Sequence, residues 1–171
     1  MMQMIDKGGL PALTDRIREA DDDNPKGYYE FEPVKKTKED PSWLQQAEGK
    51  VVKMVHLLLM DLPLDREYRV VFMRRKLEEV VASQNVMLER SGKSTGNLSN
   101  ERVIQIFKTQ LQKVAAWLEE HPNFRVHQVN YNDLISEPAP VAQAVNEFLG
   151  GVLNTDAMVR AVDPSLYRQR R

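Results

Sequence analysis

The stretch Tyr68–Gln84, YRVVFMRRKLEEVVASQ, restricts this chain more than any other part of it. Arg69–Met73 is a β-branched and aromatic run of strand length. Arg74, Arg75 and Lys76 make a basic turn, and Lys76–Arg90 then repeats apolar residues at helical spacing. Leu77, Val80, Val81, Met87 and Leu88 share one face. A buried strand handed through a cationic turn to an amphipathic helix is the usual build of a phosphate-binding corner, because cations and hydroxyls collect where the strand ends.

The rest of the sequence extends that unit into an α/β domain. Val51–His56 predicts a second buried strand and Phe124–Asn130, FRVHQVN, a third. A long helix is expected from Ser99 or Asn100 to about Glu120, with Val103, Ile104, Phe107, Leu111, Val114, Ala115 and Leu118 in a 3.6-residue period. Tyr131–Leu134 reads as a turn. Pro138 opens a helix that runs to Leu149 and stops at Gly150 and Gly151, and a short helix follows near Thr155–Ala161. Residues 1–8 resemble the last turns of a helix. A short helix capped by Thr14 or Asp15 carries Ile17 and Ala20, and 34–47 is a polar helical stretch broken at Pro41 with Trp43 and Leu44 as anchors. Strands alternating with helices imply a largely parallel sheet, and 171 residues fit a single domain, 1–171.

Composition narrows the function classes. A net charge of −1 gives no global basic field for nucleic acid. There is no cysteine, which excludes disulfides and thiolate chemistry and fits a reducing, cytoplasmic setting. No apolar run reaches the roughly 18 residues of a membrane span. Three scattered histidines imply no metal site. Asp21–Asn24 lacks the Gly and terminal Glu of a calcium loop. Gly92-Lys93-Ser94 mimics the end of a nucleotide-binding loop, but the first Gly of that motif falls on Met87 and the segment follows a helix.

Several polar residues stand out. Glu30 lies among Tyr28, Tyr29 and Phe31, where desolvation favours a general base near neutrality; the plainer reading is a surface carboxylate beside packed rings. Lys53 in a buried run needs an anion or water at the strand end, either as a functional cation or by snorkelling. His56 reads as a satisfied core or strand-end histidine.

Arg69–Gln84 resembles the middle of the sulfotransferase family, in which a strand leads to an Arg and, eight residues on, to a Ser. These are Arg75 and Ser83 here, and the resemblance implies that they hold the 3′-phosphate of 3′-phosphoadenosine 5′-phosphosulfate. Leu77 stands where the family often has Pro. Val129–Gly150 resembles a second family segment, with Tyr131, Asp133 and Leu134 fixing a turn. Asn24–Glu30 is similar to the segment that leads bacterial members to an acidic residue near the acceptor, and Asp163–Leu166 fits the family's close. The resemblance implies a three-layer P-loop-like fold with a mostly parallel sheet. It also implies a nucleotide co-substrate, no metal, and an acceptor hydroxyl or amine met by residues 10–48 and 90–100. In its terms Glu30 deprotonates the acceptor and Lys53 neutralises charge on the sulfuryl group. Arg74 is the second choice to Arg75, and Arg168, Arg170 and Arg171 either close over the nucleotide or stay solvated.

The family's first strand and its loop for the 5′-phosphosulfate are not found in this sequence, which is expected to be truncated at its N-terminus. A start placed too late, a shortened gene and a partner that supplies the strand each account for this; the consistency of the remainder favours the first. The rival to an active enzyme is a non-catalytic sulfotransferase-like remnant or interaction module.

Overall fold

The computed structural model describes residues 1–18, 20, 21, 24, 27–90, 92 and 98–166. The helices are α1 (Met2–Lys7), α2 (Leu44–Ala47), α3 (Leu77–Arg90), α4 (Asn100–Glu119), α5 (Tyr131–Ser136), α6 (Pro138–Leu149) and α7 (Thr155–Arg160). Two strands, β1 (Tyr68–Arg74) and β2 (Phe124–Asn130), form a parallel pair in register from Tyr68 opposite Phe124 to Arg74 opposite Asn130. Short 3₁₀ turns occupy Glu32–Lys36, His56–Asp61 and Pro164–Leu166. The Lys93-Ser94 part of the failed loop motif, Pro25, Lys26 and the arginines at 168, 170 and 171 lie outside the described residues.

The pleat of β1 divides the core. Tyr68, Val70 and Phe72 pack against a cluster built on Leu13, Val34, Trp43, Leu44, Leu59, Leu62, Val114 and Phe124. Val71 and Met73 point the other way, into Met4, Ile5, Val129, Leu134, Ala142, Val145 and Met158. Both faces of the strand are thus covered, as expected of a parallel strand. Ser99 caps α4 by accepting the Arg102 N–H at 3.3 Å. Pro138 sits in the first turn of α6, and Gly150 ends that helix at φ 118°, a left-handed conformation that favours glycine. Both α6 limits agree with the sequence, as do those of β2.

Three local expectations are corrected. Val51–His56 is not a strand: Val51 makes a single parallel bridge with Ala12, and His56–Asp61 is 3₁₀. Pro11 has no N–H to extend the ladder one way. In the other direction the Asp15 N–H turns to the Glu30 carbonyl at 3.2 Å. No helix forms over the described residues 14–18 either. The Thr14 hydroxyl donates to the Glu30 carbonyl at 2.9 Å, Arg16 is left-handed at φ 57°, and Ile17 is 71% exposed. Residues 131–134 are not a turn but the start of α5, which Asn130 caps by accepting the Asn132 N–H at 2.8 Å.

α1 docks on α7. The Asn154 N–H donates to the Gly8 carbonyl at 2.8 Å, and a Cβ on Gly8 would lie 2.6 Å from Met158 Cγ. Gly8→Ala is therefore expected to cost about 1–3 kcal/mol through overpacking. Urea unfolding of the variant measures this; an unchanged midpoint would argue against the docking of α1.

Candidate functional site

Arg75 follows directly on β1, at the carboxyl end of the parallel pair, where α/β sheets carry their sites. Its Nε donates to Glu79 Oε2 at 2.9 Å, and its guanidinium carbon lies 4.6 Å from the centroid of the Tyr131 ring. The Glu79 side chain is fully buried, whereas that of Arg75 is 21% exposed. Helical geometry explains the contact: Glu79 is in the first turn of α3, four residues after Arg75. The N-terminus of α3 also favours its negative charge. Burial raises the Tyr131 phenol above its ordinary value; Arg75 opposes the shift and Glu79 adds to it. Ser83 is exposed on α3, and so is Arg74 at the end of β1.

Glu30 and Lys53 meet in a second group. Lys53 Nζ lies 3.5 Å from Glu30 Oε1 and donates to the Tyr28 carbonyl at 2.9 Å. Arg18 Nη1 is 3.6 Å from the same Glu30 oxygen, and its guanidinium carbon is 3.3 Å from the centroid of the Tyr28 ring. The Tyr28 hydroxyl in turn donates to Asp21 at 2.7 Å. Glu30 therefore sits between two cations, both of which also lie over the Tyr28 ring, Lys53 Nζ at 5.9 Å from its centroid. The Lys53 ammonium finds its anion beside an irregular segment, not at a strand end.

Asp15 fastens the same region. Its carboxylate accepts the Glu32 N–H at 2.6 Å and the Ile17 N–H at 3.0 Å, and these bonds hold its pKa below the ordinary value. His56 departs from expectation. Its Nε2, like Asn132 Oδ1, is buried without a hydrogen-bond partner among the described residues, and its ring lies 6.5 Å from that of Phe107.

A cavity of about 280 Å³ is lined by Asp40, Pro41, Ser42, Leu44, Gln45, Pro63, Asp65 and Arg66, of which Pro41 and Leu44 figure in the sequence reading only as a helix break and an apolar anchor. Among the described residues, no helix is long and apolar enough to cross a membrane.

A model of the sulfotransferase family matches residues 36–154, well over half of the 171 residues. The chain belongs to the sulfotransferase family. No curated protein and no solved structure gives a significant match. Membership brings sulfuryl transfer as the general chemistry, and the mixed α/β architecture with its parallel pair is consistent with a sulfotransferase domain. Lys53, Arg75 and Ser83 lie within the matched segment of this sulfotransferase; Glu30 lies before it. Sequence reasoning passed over Glu79, Arg18 and the ring contact of Tyr131. The four-residue spacing of Arg75 and Glu79 was a legible signal for the first.

Two measurements follow from the second group. In a double-mutant cycle of Glu30→Gln and Lys53→Met, the coupling in stability is expected to be about 0.2–1 kcal/mol, because both side chains reach solvent. It should fade near 1 M salt, roughly where screening reaches about 3 Å; a salt-independent coupling would contradict this. A depressed carboxylate value adds stability that is complete above the unfolded value near 3.9 and is lost as pH falls through the folded one. Asp15→Asn should therefore flatten the acid side of a melting-temperature profile below about pH 4. An unaltered acid slope would show that these bonds do not contribute.

Proposed function

We propose that this sulfotransferase moves a sulfuryl group from 3′-phosphoadenosine 5′-phosphosulfate to an acceptor hydroxyl or amine. The observation that carries the reading is Arg75: a partly exposed guanidinium at the carboxyl end of a half-buried parallel strand, held by a buried carboxylate, inside the family segment. Its planar fork suits a phosphate dianion. Ser83, exposed on the helix that follows, is assigned the second contact to the 3′-phosphate.

The co-substrate supplies a sulfuryl group already activated by its anhydride with the 5′-phosphate. The acceptor oxygen or nitrogen forms the new bond to sulfur in line with the breaking bond, and adenosine 3′,5′-bisphosphate leaves. Glu30 takes the acceptor proton. Lys53 neutralises charge on the sulfuryl and bridging oxygens, for which it exchanges its ion pair with Glu30 for the substrate. Positioning and charge dominate such a transfer. The described corner serves the 3′ end of the nucleotide. The 5′-phosphosulfate end calls for backbone N–H groups at a loop of the kind the family carries. The bacterial type of sulfotransferase and a three-layer P-loop-like sheet are part of the same proposal.

Adenosine 3′,5′-bisphosphate at about 100 times its Kd should stabilise the chain by about 2.7 kcal/mol. That corresponds to a rise in Tm of roughly 5–10 °C. Arg75→Ala should abolish the rise. A wild-type chain whose Tm does not move with the nucleotide would overturn the site assignment.

A further inference from the structure

Apart from glycines, two of the described residues have a left-handed backbone, Arg16 at φ 57° and Tyr29 at φ 52°. That region is costly for a bulky side chain and persists only where the surroundings determine it. Both residues lie at one junction. The Glu30 carbonyl accepts from the Thr14 hydroxyl at 2.9 Å and from the Asp15 N–H at 3.2 Å, and the Glu32 N–H donates to Asp15 at 2.6 Å. The Tyr29 side of the junction is anchored as well. The residue is half-buried, and burial raises its phenol above the ordinary value, to which the charge of Asp6 adds. Asp6 belongs to α1 and accepts the Ala12 N–H at 3.0 Å.

The turn at Tyr29 has a definite result. Lys53 Nζ donates to the Tyr28 carbonyl at 2.9 Å and lies 3.5 Å from Glu30 Oε1. One ammonium thus meets the residues on either side of Tyr29, the first through its backbone and the second through its side chain. The φ of Tyr29 is the rotation that orients the planar Tyr28–Tyr29 peptide, and with it the Tyr28 carbonyl, relative to Glu30. With an extended φ the carbonyl swings away from the side on which Glu30 meets Lys53. A glycine takes the left-handed φ without strain, but it leaves the segment free to take others.

We infer that Tyr29 is a positioning residue: its left-handed backbone sets the Tyr28 carbonyl and the Glu30 carboxylate on the one ammonium of Lys53, so that the base and the cation of the transfer are held together before an acceptor arrives. This role rests on those proposed for Glu30 and Lys53 and is exerted through them, without contact between Tyr29 and the substrate.

The test uses the full chain with Tyr29→Asn and Tyr29→Val. Asparagine tolerates the left-handed region but lacks the ring, whereas valine resists the region. The first readout needs no ligand. A strong intraresidue amide-to-Hα Overhauser effect marks the positive φ at residue 29, and one between Lys53 Hε and Glu30 Hγ marks the pair. Both should be present in the wild type and in Tyr29→Asn and absent in Tyr29→Val; should the valine variant not fold, Tyr29→Ala is the milder form of the same change. A wild type without the positive φ, a pair that persists when φ becomes extended, or a pair lost in Tyr29→Asn while φ stays positive overturns the inference. The second readout is sulfuryl transfer from 3′-phosphoadenosine 5′-phosphosulfate to a phenol. Tyr29→Val should lower kcat by about a hundredfold or more, as Glu30→Gln should, with the KM of the nucleotide unchanged. It should add nothing in a Glu30→Gln background, and Tyr29→Asn should keep most of the rate. A wild-type kcat in Tyr29→Val beside a slow Glu30→Gln overturns the positioning role alone. A Glu30→Gln chain as fast as the wild type removes the base assignment, and the role of Tyr29 with it. A wild type that transfers nothing counts against the proposed function, and the ligand-free contacts then decide the part played by Tyr29.

Discussion

Everything in this domain depends on β1 being covered on both faces. A strand exposed on one side can turn its side chains to water; one covered on both must find apolar partners for every residue of its middle. Val70 and Phe72 meet one cluster, Val71 and Met73 the other, and β2 lies alongside in parallel. That arrangement gives the chain leaving β1 a single exit, at the edge of the packed layers. The polar residues that follow, Arg74 to Lys76, are held there because the core has no place for them.

The Arg75 corner is a consequence of this frame and not an addition to it. Leu77 begins α3, whose first turn carries Glu79 to the guanidinium. β2 ends level with β1, so Tyr131, the first residue of α5, comes beside the same group. Two strand ends in register and two helix starts thus gather an arginine, an acid and a ring from separate parts of the sequence. By contrast, Glu30, Lys53 and Arg18 sit on irregular segments braced by Asp15 and Tyr28. Their placement depends on hydrogen bonds near solvent rather than on the core.

The sequence was legible where a periodic pattern was long. α4 and α6 announce themselves by many apolar repeats, and Ser99, Pro138 and Gly150 mark their limits. β1 and β2 are apparent from their β-branched residues. The pattern misled where one local hydrogen bond decided the outcome. Val51–His56 has the composition of a strand, but Pro11 and the diversion of the Asp15 N–H leave it one bridge. Residues 131–134 have the residues of a turn, and the Asn130 cap makes them helix. At the site, Arg75 was visible through family resemblance, whereas the reach of Tyr131 across to it required the strand register. The two cations beside Glu30, Arg18 and Lys53, were not legible because they come from separate stretches of the chain.

The clasp between α1 and α7 bears on the order in which the chain folds. Neither helix belongs to the segment matched by the family, and each has only six residues. Helices this short do not persist alone in water. Their contact closes a loop that spans almost the whole chain, and such closures are unfavourable until the intervening core exists to hold the ends near each other. α1 is thus among the last of these elements to become helical, waiting for Met158 to be presented by a body that must fold without it.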